Sequence, residues 1–390
     1  MSNTTATPSV SPSVSDGRED EARRIYMRNG DARARALDNR GPVRYTAAGD
    51  IHPDILEAYW RCGFYVLEGV IGRAELDEIE ADIKSIMRRL PRHKDALIDA
   101  DGKPALANGC KAPTLFWSKP LGDPFGGTQL ANGRHPVKMH EPVAATDAPD
   151  EVVYLILGSL QFSEACLRTY AHPDLLAVAA AVNGDDFVPF ADALFIKEPG
   201  LGASVAWHQD GTTHWDTPSW DEGSHGFNFM GQLYGCTAAN GVWVVPGTHK
   251  LGKLDIKAKV HAAGTERLPD AVPMLCKPGD VVISNRQLLH GSFANTSADW
   301  RVTINMGFHR RASVQDVRGG GLHSAPAVYD DAHIAERSRI IGYAIDARLQ
   351  RFPNEQPFCY RPFARTGLAY RWDEHARATM HDYNALDMSI

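Results

Sequence analysis

The sequence predicts a mainly β domain with flanking helices, and three observations support this fold class. Five short segments between residues 186 and 310 are rich in β-branched and aromatic residues, as β-strands are. Turn residues separate them, including Asn240-Gly241 and Pro278-Gly279. No helical pattern lies between these segments, which indicates an antiparallel sandwich or barrel. The hydrophobic content of 43% is sufficient for a sizeable core in a chain of 390 residues.

The amino-terminal quarter is expected to begin as a tail and to continue as a compact unit. The first twenty residues are rich in Ser, Thr and Pro, and we predict disorder over residues 1–45. Residues 52–63 then show helical spacing that ends at a glycine. The segment FYVLEGV alternates as a short strand does, and the apolar positions of residues 72–90 predict a long amphipathic helix. We therefore expect one catalytic domain over residues 46–390.

Two regions are expected to be additions to the β core. Residues 91–150 form an insert dominated by Gly, Pro, Asp and Lys, and so long a loop is uncommon unless it has a function. A substrate lid, an oligomer contact and disorder remain open for it. The segments VVYLILGSLQFSEACLRTYA and HPDLLAVAAAVNG are both predicted to be helical. One good helix, AHIAERSRIIGYAIDARLQRF, predicts a helical extension at the carboxyl end.

Charge and cysteine content restrict the class of partner. The net charge is −7, and basic and acidic residues are mixed along the chain, so we expect neither a nucleic acid nor a membrane as a partner. The six cysteines include no CxxC pair, which favours reduced thiols. The sequence also contains no apolar run near eighteen residues and no secretion signal. These features predict a cytoplasmic protein.

A candidate metal site begins at the segment WHQD. His208 and Asp210 form an H-x-D pair, and residues two apart on an extended segment project to the same face. His290, directly after a predicted strand, is the best third ligand. Two histidines and one carboxylate form the facial triad of non-heme Fe(II) oxygenases. The H-x-D pair alone is a weak indication of a metal site, but Arg301 follows His290 by eleven residues and could bind a dicarboxylate. Ser292 could add a hydroxyl donor to the same carboxylate.

These motifs occur in an order that resembles a known family. GFYVLEGV, WHQD, NGVWVVPGTHK, PGDVVISNRQLLHGS and the arginine beyond them are similar to segments of the phytanoyl-CoA dioxygenase family of Fe(II)/2-oxoglutarate-dependent oxygenases. The resemblance implies a double-stranded β-helix core, which is a jelly-roll, cupin-like fold. It implies His208, Asp210 and His290 as iron ligands, and Arg301 and Ser292 as contacts of 2-oxoglutarate.

The same resemblance implies a reaction. Fe(II) with 2-oxoglutarate and O₂ would hydroxylate an unactivated C–H bond of a small-molecule substrate, with release of succinate and CO₂. Desaturation, cyclisation or epimerisation would use the same residues, whereas Asp210 argues against halogenation because halogenases of this kind have a small residue there. A zinc hydrolase and a non-catalytic ligand-binding barrel are the alternatives from other classes.

The remaining candidate residues concern the cosubstrate and the substrate. Lys197 lies on the strand that leads into the site, where it would contact a carboxylate or be solvated. Strand alternation places Gln232 and Tyr234 on one face, which is either the pocket or the surface. His214 and Trp215 are expected at the rim of the pocket. The sequence leaves open the substrate, including whether it is a thioester, and the oligomeric state, with a homodimer among the options.

Overall fold

A computed structural model describes residues 14–210, 226–319, 325–364 and 366–387. Within this part of the chain, the α-helices are α1 Val14–Arg35, α2 Pro53–Cys62, α3 Arg73–Arg88, α4 Glu164–Tyr170, α5 Pro173–Asn183, α6 Ile256–Ala263, α7 Arg311–Val314, α8 Asp331–Arg351, α9 Arg361–Ala364 and α10 Glu374–Thr379. The strands are β1 Arg40–Gly41, β2 Phe64–Leu67, β3 Leu115–Ser118, β4 Val152–Leu157, β5 Val188–Lys197, β6 Val205–His208, β7 Gly226–Gln232, β8 Trp243–Val244, β9 Val272–Pro273, β10 Val281–Asn285, β11 His290–Ser292, β12 Arg301–His309, β13 Arg318–Gly319 and β14 Ala327–Val328.

The strands form two main sheets. The larger has the order β1-β2-β10-β7-β12-β5-β4-β3 and the smaller the order β6-β11-β8-β9, while β13 and β14 form a separate pair. All pairings are antiparallel except that of β1 with β2. The predicted large sheets with flanking helices are therefore confirmed, although ten helices in the described residues make the chain mixed α/β. None of the described helices is long and apolar enough to cross a bilayer.

The helix, strand and helix predicted after residue 51 are confirmed as α2, β2 and α3. Helix α2 begins at Pro53, where the side chain of His52 accepts a hydrogen bond from the Asp54 amide, and it ends at Gly63, whose φ of 84° favours glycine. The apolar stripe of α3 is buried as predicted, at Leu76, Ile79, Ile83 and Ile86. These helices pack on the larger sheet in the main hydrophobic core, together with residues of α4, α5 and α8.

The predicted disorder is wrong for residues 14–45, because they form α1 and β1. The ring of Tyr26 stacks on Trp243 with centroids 4.5 Å apart, and its hydroxyl donates to the Leu268 carbonyl at 2.9 Å. Arg33 donates to the Ala271 carbonyl at 2.7 Å. Helix α1 therefore packs on the smaller sheet and its loops. Its partners lie more than 200 residues away in the sequence, so its own composition does not indicate the contact.

The helix predicted over residues 152–171 is wrong in its first half. Residues 152–157 form strand β4, which pairs with β3 on one side and β5 on the other. All six of its residues are buried, so the segment shows no alternation, and a short apolar run of this kind cannot be assigned by periodicity. The second half is confirmed as α4, which begins after Ser163, and the next predicted helix is confirmed as α5.

Disorder is also wrong for the insert of residues 91–150, which the structure describes throughout. Two parts of the insert are held together by the buried carboxylate of Asp123, which accepts hydrogen bonds from the amides of Gly126 and Met139 at 2.9 and 2.7 Å. The Leu121 amide also donates to the Leu201 carbonyl, just before β6. The insert therefore lies beside the first segment of the candidate site. The predicted carboxyl-terminal helix is confirmed as α8.

We predict that Gly30→Ala destabilises the protein by about 1–3 kcal/mol, because overpacking a buried contact has this cost. A Cβ at position 30 would overlap the indole ring of Trp243, which is fully buried and cannot move away. In an unpacked helix the same substitution would stabilise, since alanine has the higher helix propensity. Urea unfolding gives the difference, with the exposed Asn29→Ala as the matched control. An unchanged or raised stability in Gly30→Ala would show that α1 does not pack as described.

Candidate metal centre

Two antiparallel strands bring the predicted histidines together. Strand β6 pairs with β11 so that His208 lies directly opposite His290, and their ring centroids are 4.0 Å apart. Asp210 follows β6 by two residues, and its amide donates to the Arg286 carbonyl at 2.8 Å. Among the described residues, one potential ligand atom from each of His208, Asp210 and His290 lies within 4.8 Å of the other two. All three side chains are buried.

Hydrogen bonds fix the tautomer of both histidines. The Nδ1 atom of His208 lies 2.8 Å from the Ala206 carbonyl oxygen, and that of His290 lies 2.8 Å from the Leu288 carbonyl oxygen. Because a carbonyl oxygen only accepts, each Nδ1 carries the hydrogen and each Nε2 keeps its lone pair. Burial lowers the pKa of both imidazoles, so both rings are neutral near pH 7. Neutral imidazoles oriented in this way are suited to bind a metal through Nε2.

The Asp210 carboxylate is held at both oxygens. Its Oδ2 accepts a hydrogen bond from the Asn228 amide at 3.1 Å, while Oδ1 lies 2.8 Å from Nη1 of Arg134 and 3.6 Å from Nε2 of His208. Burial alone would raise the pKa of Asp210, but the charges of Arg134 and Arg286 outweigh it and hold this pKa well below its ordinary value. The carboxylate is therefore ionised. Two neutral imidazoles and one carboxylate are a donor set that fits Fe(II).

A cavity lies over these three residues. Residues of β5, β7 and β12 from the larger sheet and of β6 and β11 from the smaller sheet line it, so it lies between the two sheets. Arg301 and Ser292 line the cavity, as predicted for the dicarboxylate site. Arg301 is buried, and it donates from Nε to the Thr303 hydroxyl at 2.9 Å and from Nη1 to the Asn240 carbonyl at 3.0 Å.

Of the two positions predicted for Lys197, the structure contradicts the solvated one. The residue lies opposite Arg301 across β5 and β12, yet it is only 2% exposed, so the solvated alternative is wrong. Its Nζ donates to the Phe293 carbonyl at 2.6 Å and is not part of the cavity wall. Burial, with Arg301 nearby, lowers the pKa of Lys197 well below its ordinary value.

The predicted substrate residues separate into three cases. Gln232 is buried and accepts a hydrogen bond from the Thr303 hydroxyl at 3.0 Å, so it supports the wall behind Arg301 without lining the cavity. Tyr234 is wrong as a pocket residue: it is 37% exposed, and its hydroxyl bonds to Glu80 on α3. Strand β7 ends at Gln232, so the alternation does not reach Tyr234. His214 and Trp215 lie outside the described residues.

Sequence reasoning missed three ionisable residues in the cavity wall, namely Arg134, His135 and Arg286. The His135 ring lies between Phe125, at 4.9 Å, and His208, at 4.1 Å, measured between ring centroids. The insert that carries Arg134 and His135 has no periodicity to indicate this contact. Arg286 did leave a signal, because the polar run Asn285-Arg286-Gln287 interrupts two apolar segments just before His290.

Known proteins similar to this chain include one curated relative and several solved structures. Phytanoyl-CoA dioxygenase 1 from rice (Oryza sativa subsp. japonica) is 34% identical over 118 residues, which are 28% of this chain and 40% of that protein. The chain thus aligns with less than half the length of this relative. EctD from S. alaskensis, solved with 2-oxoglutarate and 5-hydroxyectoine, has 20% identity and a TM-score of 0.46 over 70% of this chain and 80% of that one.

A second solved structure is the epimerase SnoN in complex with Fe³⁺, α-ketoglutarate and nogalamycin RO. It is 16% identical, with a TM-score of 0.43 over 66% of this chain and 84% of that chain. The decisive match is to the family itself, because the sequence model described as phytanoyl-CoA dioxygenase (PhyH) matches residues 59–303. This match covers more than half of the chain and confirms the resemblance of the motifs. The chain belongs to the phytanoyl-CoA dioxygenase family.

Proposed function

We propose that this protein is an Fe(II)- and 2-oxoglutarate-dependent dioxygenase that hydroxylates a C–H bond of a small molecule and releases succinate and CO₂. The observation that carries the proposal is the opposition of His208 and His290 across β6 and β11, with the ionised Asp210 beside them. Nε2 of each histidine and one Asp210 oxygen would hold the iron on one face. The iron would supply a site that binds 2-oxoglutarate and activates O₂ for attack on the substrate.

Arg301 and Ser292 would bind the far carboxylate of 2-oxoglutarate. Both residues line the cavity, and Arg301 is held in place by hydrogen bonds to Thr303 and to the Asn240 carbonyl. Gln232 in turn accepts from the Thr303 hydroxyl, so the guanidinium is part of a chain of hydrogen bonds. A guanidinium fixed in this way is prepared for a carboxylate before the cosubstrate arrives, which reduces the entropy lost on binding.

The two sheets support a finer interpretation of the fold. We propose that the larger and the smaller sheet are the two halves of a double-stranded β-helix in one catalytic domain, which also includes α1 because that helix packs on the smaller sheet. Their facing surfaces share the cavity, and the candidate ligands lie on the smaller sheet at its edge strand β6 and the neighbouring β11. This arrangement leaves the strands of the larger sheet to shape the substrate pocket.

The surroundings of the site favour an oxygenase over a zinc hydrolase. A hydrolase needs a general base near the metal-bound water. Among the described cavity residues, the candidate ligands and the arginines leave one side chain that could act as a base, and this is His135. Burial, together with the charge of Arg134, lowers the pKa of His135 to about 2, so it is a weak base. Asp210 also occupies the position that a halide would need, and hydroxylation is the outcome we propose.

The first test is the visible charge-transfer band that 2-oxoglutarate gives on Fe(II) without oxygen. We expect the band in the wild type, and we expect Arg301→Ala to weaken apparent 2-oxoglutarate affinity by about tenfold or more, because it loses a charge-assisted bidentate contact. Iron content should remain close to that of the wild type. His208→Ala should instead lose iron and the band together.

Two controls sharpen this test. Arg301→Lys keeps the charge but not the fork of donors, so we expect an affinity between those of the wild type and Arg301→Ala. Arg73→Ala removes a surface guanidinium that pairs with Asp77 on α3, and it should change neither iron nor 2-oxoglutarate binding. Absence of the band in wild-type protein with iron demonstrably bound would overturn the proposed function.

A second prediction concerns Arg134, whose Nη1 lies against Oδ1 of Asp210, the oxygen nearer to His208. A cation at this oxygen competes with a divalent metal and repels it. We expect Arg134→Gln to tighten Co(II) binding by about threefold to tenfold, in keeping with one partly screened charge contact. The metal-free variant should be less stable, because Asp210 is left buried without its cationic partner.

Calorimetric titration with Co(II) and thermal unfolding of the metal-free protein measure the two effects of Arg134→Gln. Arg73→Gln serves as the control for the loss of one positive charge at a remote, exposed position. Weaker Co(II) binding in Arg134→Gln would mean that Arg134 positions Asp210 for the metal instead of competing with it.

A further inference from the structure

We propose that the primary substrate of this cavity is a small organic acid, and that Arg286 binds its carboxylate. The proposal rests on the function proposed above and specifies the substrate class of the same site. Arg286 lines the cavity and is 2% exposed. It was not among the residues that the motifs indicated, and Arg301 accounts for the cosubstrate without it.

The guanidinium of Arg286 is fixed, but one of its edges is free. Nη1 donates to Oδ1 of Asn228 at 3.2 Å, and the group lies over the Phe190 ring at 4.1 Å from its centroid. Nε and Nη2 are buried and have no hydrogen-bond partner among the described residues. These two atoms share one edge of the guanidinium, and that edge can bind a carboxylate through two parallel hydrogen bonds. Buried donors of this kind are rarely left unpaired.

Asn228 connects the Arg286 guanidinium to the metal centre through the edge that is already occupied. Its amide nitrogen donates to Oδ2 of Asp210, while its carbonyl oxygen accepts from Arg286. A carboxylate bound at the free edge would lie in the same cavity as the candidate iron ligands, where the carbon atoms attached to it can approach the iron. We expect oxidation at a C–H bond close to the acid group for this reason.

Arg286 and Arg301 lie at different levels of the cavity. Asn228, the partner of Arg286, is opposite Gly307 on β12, whereas Arg301 begins the same strand six positions earlier. Six residues of a strand span roughly 20 Å. Because the two positions on β12 are this far apart, we assign each guanidinium a carboxylate of its own. In this proposal, Arg301 binds 2-oxoglutarate and Arg286 binds the substrate.

The charge balance of the wall supports an anionic substrate. Among the described residues that line the cavity, Arg134, Arg286 and Arg301 are cationic and Asp210 is the one acid. Asp210 forms its ion pair with Arg134 and also interacts with the charge of Arg286, and a dicarboxylate would pair with Arg301. Among the described residues of the wall, one positive charge is then still in excess. A buried charge is stable only when it is compensated. Apolar side chains, including Phe125, Leu155 and Phe195, form about half of the wall, so the body of the acid would be largely hydrocarbon.

The test compares acids with amides of the same carbon skeleton. Full-length protein with Fe(II) and 2-oxoglutarate, kept without oxygen, is titrated with hexanoate, octanoate, cyclohexanecarboxylate and 3-phenylpropanoate, and with the primary amide of each. Calorimetry gives the dissociation constants, and the charge-transfer band reports whether the ligand reaches the iron. We expect at least one acid to bind about tenfold or more tightly than its amide, as charge-assisted hydrogen bonds imply.

Substitutions then assign the preference to Arg286. Arg286→Gln should reduce the acid-to-amide ratio to within about twofold, and Arg286→Lys should retain part of it because the charge remains without the fork. The charge-transfer band is recorded for each variant to show that iron and 2-oxoglutarate are still bound, and the acid is compared with its amide within one variant, so that a change in iron affinity does not affect the ratio. Arg73→Gln is the matched control for net charge.

Failure of this proposal is distinct from failure of the proposed function. If no acid is preferred over its amide, or if the preference survives Arg286→Gln, the substrate assignment is overturned while the band persists. If the band is absent from iron-loaded wild-type protein, the proposed function is overturned instead. The calorimetric comparison of acids with amides is therefore repeated without metal. A preference for the acid that is lost in Arg286→Gln then assigns the carboxylate to Arg286 even if the proposed function is overturned.

Discussion

The antiparallel pairing of His208 with His290 is the constraint on which the candidate site depends. Strand β6 at the edge of the smaller sheet meets β11 in a register that places the two imidazoles side by side. Because side chains alternate along a strand, a slip of one residue would turn His208 to the other face of the sheet. The same register sets the direction of the chain beyond β6, where the Asp210 amide bonds to the Arg286 carbonyl. The position of β6 relative to β11 thus determines where all three candidate ligands lie.

Buried charge is the second constraint, and it connects the metal centre to the insert and to the larger sheet. The Asp210 carboxylate is ionised although it is buried, because the charges of Arg134, from the insert, and of Arg286 outweigh the cost of burial. Asn228, from β7, donates to its other oxygen. Asn228 also holds Arg286, so the candidate ligand, the amide and the guanidinium form one hydrogen-bonded unit. Packing and electrostatics therefore act on the same few atoms. In this account, the insert is part of the active site rather than an appendage to the core.

Local sequence patterns predicted those helices, strands and candidate ligands whose own residues show the pattern. The amphipathic stripe predicted α3, and strand composition predicted β5, β7, β10 and β12. The paired spacing of His208 and Asp210 predicted two members of the triad. Features that depend on distant contacts were missed: β4 is apolar on both faces, α1 is ordered by Trp243, and His135 reaches His208 from an insert without periodicity. The error at Tyr234 arose because alternation ceases where β7 ends.

The central claim is that one metal ion binds between His208, Asp210 and His290, with both imidazoles ligating through Nε2. Anomalous diffraction at the iron edge, from crystals grown with Fe(II) and 2-oxoglutarate in the absence of oxygen, tests this claim most directly. The account predicts a single peak bonded to the two Nε2 atoms and one Asp210 oxygen, because each Nδ1 donates to a carbonyl. A peak elsewhere, ligation through Nδ1, or no peak in a crystal shown to contain iron would contradict it.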